Sequence, residues 1–219
     1  MRAEFDRQLA ALKAQVLDLG TLAIRQVERA LEAVERRDGA LAAEVAQADS
    51  ALDAAESAID AAVVRILALR QPEAGDLRGL LAALRIATAL ERIGDHAKTV
   101  AKRLPPLVDR LNDPVDPDLL TIGRLALDEV EDAMRAYGAD DADLALALCA
   151  RDVVLDRLYT GYNEAMLTAM DASTAQVRPG VFLLYAARNF ERIGDQATNI
   201  AERVHFAVRG RLPEEDRPR

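Results

Sequence analysis

Only one cysteine, Cys149, occurs in the chain, which excludes an internal disulfide and any cysteine-built zinc site. Tryptophan is absent, aromatics make up 4% of the residues, and glycine and proline are few. That scarcity, set beside an abundance of alanine, is the composition of long helices packed closely through small side chains. Clusters of lysine and arginine are missing as well. With a net charge of −9 and a pI near 4.9, the chain carries no footprint for nucleic acid. No uncharged apolar run is long enough to cross a bilayer, so membrane insertion is not expected. The opening MRAEFDRQLAALKAQ is charged from the outset and lacks the apolar core of a signal peptide, so a cytoplasmic location is expected.

What is present is helical periodicity, cut by breakers into six segments. The first spans about Arg2 to Arg36. After a turn at Asp38 and Gly39 the second runs to about Arg70, and a third follows QPEAGD, with Asp76 as its expected N-cap, to about Leu111. NDPVDPD, with Pro114 and Pro117, is the strongest break and marks the boundary between halves. A fourth helix reaches about Tyr137, a fifth runs from about Asp141 to Met170, and a sixth from Pro179 to about Val208. No strand-length stretch alternates with period two.

The halves repeat one another. ERIGDHA (Glu91–Ala97) returns a hundred positions later as ERIGDQA (Glu191–Ala197), inside a window of 22 positions with ten identities. At an offset of 103, LGTLAIRQVERA (Leu19–Ala30) lies over IGRLALDEVEDA (Ile122–Ala133). The expected fold is therefore all-α: two tandem antiparallel three-helix bundles related by internal duplication about a pseudo-two-fold axis. The first repeat takes in residues 1–112 and the second 118–210, with a tail at 211–219.

The repeats carry acidic stripes. An α-helix turns about 100° per residue, so Glu91 and Asp95 share a face, as do Glu191, Asp195, Asn199 and Glu202. Asp49, Asp53, Glu56 and Asp60 line up on the second helix, and Asp152, Asp156 and Asn163 on the fifth. Apolar positions centre roughly 80–130° away from these lines, so the stripes are expected to flank the core instead of entering it. Two carboxylates about 5 Å apart repel by on the order of 3 kcal/mol at an effective dielectric near 20. Arginine, lysine or a bound cation relieves that repulsion. With few histidines and no thiolate cluster, the oxygen donors suit hard or borderline ions. Acidic residues four apart are also what an ordinary solvated face looks like, and a metal-free adaptor with acidic, solubilising stripes is the alternative reading. A ferritin-like di-iron protein needs two ExxH pairs, and only Glu202–His205 fits, once. His205 reads as a surface histidine. No nucleophile–base pair, phosphate loop or hydrolase motif points to an enzyme. Gly94 and Gly194, mid-helix, call for a close approach by a neighbouring helix or a ligand.

The duplicated unit with ERIGDHA and ERIGDQATNIAER on its third helices resembles the PhoU family along the whole chain. The resemblance implies a cytoplasmic negative regulator of the phosphate regulon and of phosphate uptake. Its implied partners are the ATPase component of a phosphate ABC transporter and a phosphate-sensing histidine kinase. It further implies a homodimer, and iron or zinc clusters held by E(D)xxxD motifs. On this chain those motifs are Asp49/Asp53 with Glu91/Asp95, and Asp152/Asp156 with Glu191/Asp195; Asn199 and Glu202 extend the last. Thr99 and Lys102 stand in the first repeat where the second has Asn199 and Glu202. The second repeat is therefore expected to bind metal more tightly, because Lys102 would repel a cation.

Overall fold

The computed structural model describes residues 2–47, 50–69, 72–111 and 115–213, and these contain helices and their connections but no strand. The first repeat comprises α1 (Arg2–Arg36), α2 (Gly39–Gln47), α3 (Ser50–Leu69) and α4 (Ala74–Arg103). The second comprises α5 (Pro117–Ala139), α6 (Ala142–Arg151), α7 (Val153–Ala172) and α8 (Val177–Arg209). Asn112–Pro114, in the expected linker, and Glu214–Arg219, in the expected tail, lie outside the described residues.

The same turn closes the first helix of each repeat. Arg37 (φ 54°) and Asp140 (φ 52°) take the left-handed conformation just past α1 and α5. Asp38 N–H then donates to Ala33 O at 2.8 Å, and Asp141 N–H to Ala136 O at 2.9 Å, which stops the helix by satisfying a terminal carbonyl. The side chains of Asp38 and Asp141 cap the next helix, accepting from Leu41 N–H and Leu144 N–H at 2.9 Å. Gly39, expected in this turn, is already the first residue of α2.

Other boundaries differ from the periodicity. In the second repeat the expected second helix is two helices: α6 and α7 meet at Asp152, whose φ and ψ (−50°, −31°) remain helical, so no breaker residue announces the division; between α2 and α3 residues 48–49 lie outside the described residues. α4 starts beyond Glu73, leaving Asp76 inside its first turn and not at the cap. It stops at Arg103 because Pro105 and Pro106 cannot continue it, and a 3-10 turn (Pro105–Arg110) takes the chain onward. Pro179 lies within the first turn of α8, where a missing N–H costs nothing.

The halves meet through α4 against α8 and α1 against α5, the last and first helices of each repeat. Ile86, Leu90 and Ile93 of α4 are buried with Phe190, Ile193 and Ile200 of α8 in one contiguous core. Each such side chain contributes roughly 1.5–3 kcal/mol relative to exposure. The pseudo-two-fold is visible in the glycines. A Cβ on Gly20 would come 2.5 Å from Met134, and one on Gly123 would come 2.6 Å from Leu31. Gly20 is the repeat equivalent of Gly123, and Leu31 of Met134, so the α1–α5 contact is the same contact made twice.

Candidate metal centre

Within each repeat a mid-helix glycine seats a leucine. The side chain of Leu52 (α3) packs on Gly94 and that of Leu155 (α7) on Gly194, where a Cβ would stand 2.6 and 2.3 Å away respectively. This close approach sets the second helical limb of each repeat against the duplicated ERIGD string. It also determines where the acidic stripes fall.

In the second repeat the approach draws carboxylates together. Asp156, Glu191 and Asp195 each offer an oxygen, and the three lie within 4.8 Å of one another. Asp156 is exposed, Asp195 half-buried, and Glu191 only 8% exposed. Asp152, one turn before Asp156, is buried at the α6–α7 junction. The stripe was expected to flank the core, but Asp152 and Glu191 enter its edge. The physical reason is the glycine: with no side chain on Gly194, α7 rides close to α8 and covers the inner carboxylates. Arg188 donates to Glu191 Oε1, while Glu191 Oε2 is buried without a hydrogen-bond partner. Burial, then Asp195, drives the Glu191 carboxyl up to about 7, against the pull of Arg188.

Asn199, a turn beyond Asp195, is exposed, and Glu202 is half-buried and joins no comparable trio among the described residues. His205 is not on the surface: it is buried, and its Nδ1 bonds to Arg211 O at 2.9 Å.

The first repeat assembles less. Asp49 lies outside the described residues; Asp53 and Asp95 are exposed and Glu91 half-buried. None of these joins a group of three acids among the described residues. The cation beside the stripe is Lys98, whose Nζ is 3.5 Å from Asp95, whereas Lys102 is exposed. Thr198 replaces Lys98 in the second repeat, so no ammonium comes from that position.

Glu129 of α5 went unnoticed in the sequence. It is 3% exposed, its Oε2 has no hydrogen-bond partner, and that oxygen lies 2.8 Å from where a Gly194 Cβ would be. Burial, followed by Asp152, pushes its carboxyl up to about 8, with Arg151 opposing. A buried polar group left unsatisfied costs about 1–3 kcal/mol. The signal was legible: Glu129 falls on the apolar face of α5, three residues after Ala126 and four before Ala133, both fully buried.

The donors fit a cation. Carboxylate oxygens without a thiolate suit hard or borderline metals, and Glu191, a member of the trio, keeps a buried oxygen without a hydrogen-bond partner. The two copies of the repeated string also face each other. Arg92, Asp95 and His96 line an open groove of ≈ 460 Å³ with Arg188, Arg192, Asp195 and Gln196. His96 turns its Nδ1 to Asn189 Oδ1 at 3.1 Å, across the α4–α8 contact and away from the trio.

The family description "PhoU domain" matches twice, over residues 16–104 and again over 119–204. The chain belongs to the PhoU family. The two matches coincide with the two helical repeats. A protein of Xylella fastidiosa strain 9a5c called "Phosphate-specific transport system accessory protein PhoU homolog" is 41% identical over 212 residues, 94% of this chain and 87% of the relative. One of the same name from Zymomonas mobilis is 36% identical over 214 residues, 97% of this chain and 90% of its own. Among solved structures, PhoU from Pseudomonas aeruginosa superposes with a TM-score of 0.90 at 36% identity, covering 94% of this chain and all of that one, 100%. The phosphate transport system regulatory protein PhoU from Streptococcus pneumoniae gives 0.86 at 28% identity, covering 96% and 99%. Both support the all-α, two-repeat PhoU architecture.

Proposed function

We propose that this chain is an accessory protein of phosphate-specific transport that restrains phosphate uptake and the phosphate-starvation response. Its relatives carry that transport role in their names, and the similarity extends over both repeats. Among the described residues no helix is long and apolar enough to cross a membrane. The reading is therefore of a protein that acts by docking on others: the ATPase component of the phosphate ABC transporter and a phosphate-sensing histidine kinase, at the cytoplasmic face. A homodimer is the form in which it acts, to be checked by sedimentation. Deleting the gene should derepress phosphate-starvation genes in high phosphate. Full repression in the deletion strain would overturn the assignment.

The second part of the proposal is metal binding, carried by the trio Asp156, Glu191 and Asp195. A divalent cation there supplies positive charge to three carboxylates that otherwise repel. Asp156 from α7 and Glu191 and Asp195 from α8 are the residues that would hold the ion, and binding it would tie the second limb to the ERIGD helix. Arg188 fixes one oxygen of Glu191 and leaves the other inward. In the first repeat Asp53, Glu91 and Asp95, with Asp49, are the corresponding donors, loosened by exposure and by Lys98. A metal-free adaptor is the outcome if protein purified without chelator carries no stoichiometric metal.

A further inference from the structure

We propose that Glu129 and Asp152 form an inner carboxylate pair that extends the Asp156–Glu191–Asp195 site into the bundle and binds a divalent cation, a position the first repeat does not have. The proposal rests on the reading of the outer trio as a metal site.

Three observations carry it. Glu129 is 3% exposed, yet its Oε2 has no hydrogen-bond partner. The oxygen points to the centre: the Cβ position of Gly194 is 2.8 Å from Glu129 Oε2 and 3.7 Å from Asp152 Oδ1, so two carboxylates from different helices face the backbone of the ERIGD string. The first repeat then supplies a control. Gln26 occupies the place of Glu129, is similarly buried at 5% exposure, and donates its amide Nε2 to Gly94 O at 3.2 Å, while its Oε1, like Glu129 Oε2, has no hydrogen-bond partner. What differs is the chemistry: a neutral amide with a proton to donate lies against the glycine there. In the second repeat the same place holds a carboxyl group beside Asp152, which offers oxygen ligands once a cation displaces its proton.

Arg151 and Arg135 both pair with Asp132, and Arg188 pairs with Glu191. A groove of ≈ 380 Å³ lined by Asp128, Glu129, Asp132, Arg135 and Arg151 runs along this edge, giving an ion a route in that does not pass the outer trio. Oxygen-only donors from Glu and Asp select Mn²⁺, Mg²⁺, Ca²⁺ or Fe²⁺ over a thiophilic metal.

The test is titration with Mn²⁺ of the full chain, chelator-treated beforehand, as wild type, Glu129→Gln and Glu129→Met. Gln reproduces the first repeat; Met keeps the volume without a polar atom, so a folding defect in one variant leaves the other. The expected result is that both substitutions weaken the tightest class of Mn²⁺ binding by at least about tenfold. The metal-free variants melt above metal-free wild type, and the Mn²⁺-induced rise in melting temperature shrinks. Unchanged Mn²⁺ stoichiometry and affinity in the variants would overturn the inner pair while leaving the outer trio standing. Wild type that binds no Mn²⁺ would overturn both.

Discussion

The two repeats share their packing and differ in their charge. Leu52 on Gly94 and Leu155 on Gly194 are the same contact, and so are the turns at Arg37–Asp38 and Asp140–Asp141. Around the shared glycine, however, the first repeat has Gln26 donating a hydrogen bond and Lys98 beside Asp95. The second has Glu129, whose Oε2 has no hydrogen-bond partner, and Thr198 in place of the lysine. After a duplication, packing constrains every methyl group because close-packed cores tolerate neither voids nor overlap. The comparison teaches that one packing scheme accommodates both a cluster of carboxylates, in the second repeat, and a glutamine amide with a lysine beside Asp95, in the first.

Substitution of the paired glycines should give the largest separation in stability. Gly194→Ala places a Cβ 2.3 Å from Leu155 and 2.8 Å from Glu129, and should cost about 1–3 kcal/mol by overpacking. Gly94→Ala meets Leu52 at 2.6 Å and Gln26 only at 3.5 Å, and should cost less. Urea unfolding of both variants measures the difference; an equal or reversed order would break the claim that the second repeat is the tighter site.

A smaller effect lies in the pH dependence of the metal-free protein. Glu129 is raised from 4.5 to about 8, faced by Asp132 of its own helix, Arg151 of α6, Asp152 at the junction and Asp156 of α7. The native state holds its proton where the unfolded chain has lost it. Its contribution is therefore fully present below the unfolded value and is lost as pH rises toward 8, with a slope of at most about 1.4 kcal/mol per pH unit. Glu191, raised from 4.5 to about 7, adds a slope of the same sign over a narrower range. Urea melts of chelator-treated protein between pH 5 and 9 should show stability declining, and Glu129→Gln should remove the part due to Glu129. A flat profile in wild type would contradict the burial of both carboxyl groups.

Much of this was written in the sequence. The ERIGD duplication and the two offsets gave the repeats, because identity at a fixed spacing survives whatever the helices pack against. The glycines were legible as close approaches, though not what approached them. The division at Asp152 was hidden, since a residue in helical conformation leaves no compositional trace. Burial of Asp152 and Glu191 was hidden for another reason: periodicity says which face of a helix is apolar, but not which neighbour covers its edge. Glu129 is the instructive case. An acid on the buried face of α5, opposite a glutamine in the repeat, breaks the apolar pattern and could have been singled out by that alone.

The most direct measurement compares metal stoichiometry and affinity in Asp195→Ala and Asp95→Ala, each prepared metal-free and titrated with Mn²⁺. The account predicts that Asp195→Ala abolishes the tightest binding, because it removes one of three oxygens lying within 4.8 Å of one another. Asp95→Ala, an exposed residue already near Lys98, should leave that binding almost unchanged. Equal losses, or a greater loss from Asp95→Ala, would contradict the ordering of the repeats, and no loss from either would leave a metal-free adaptor.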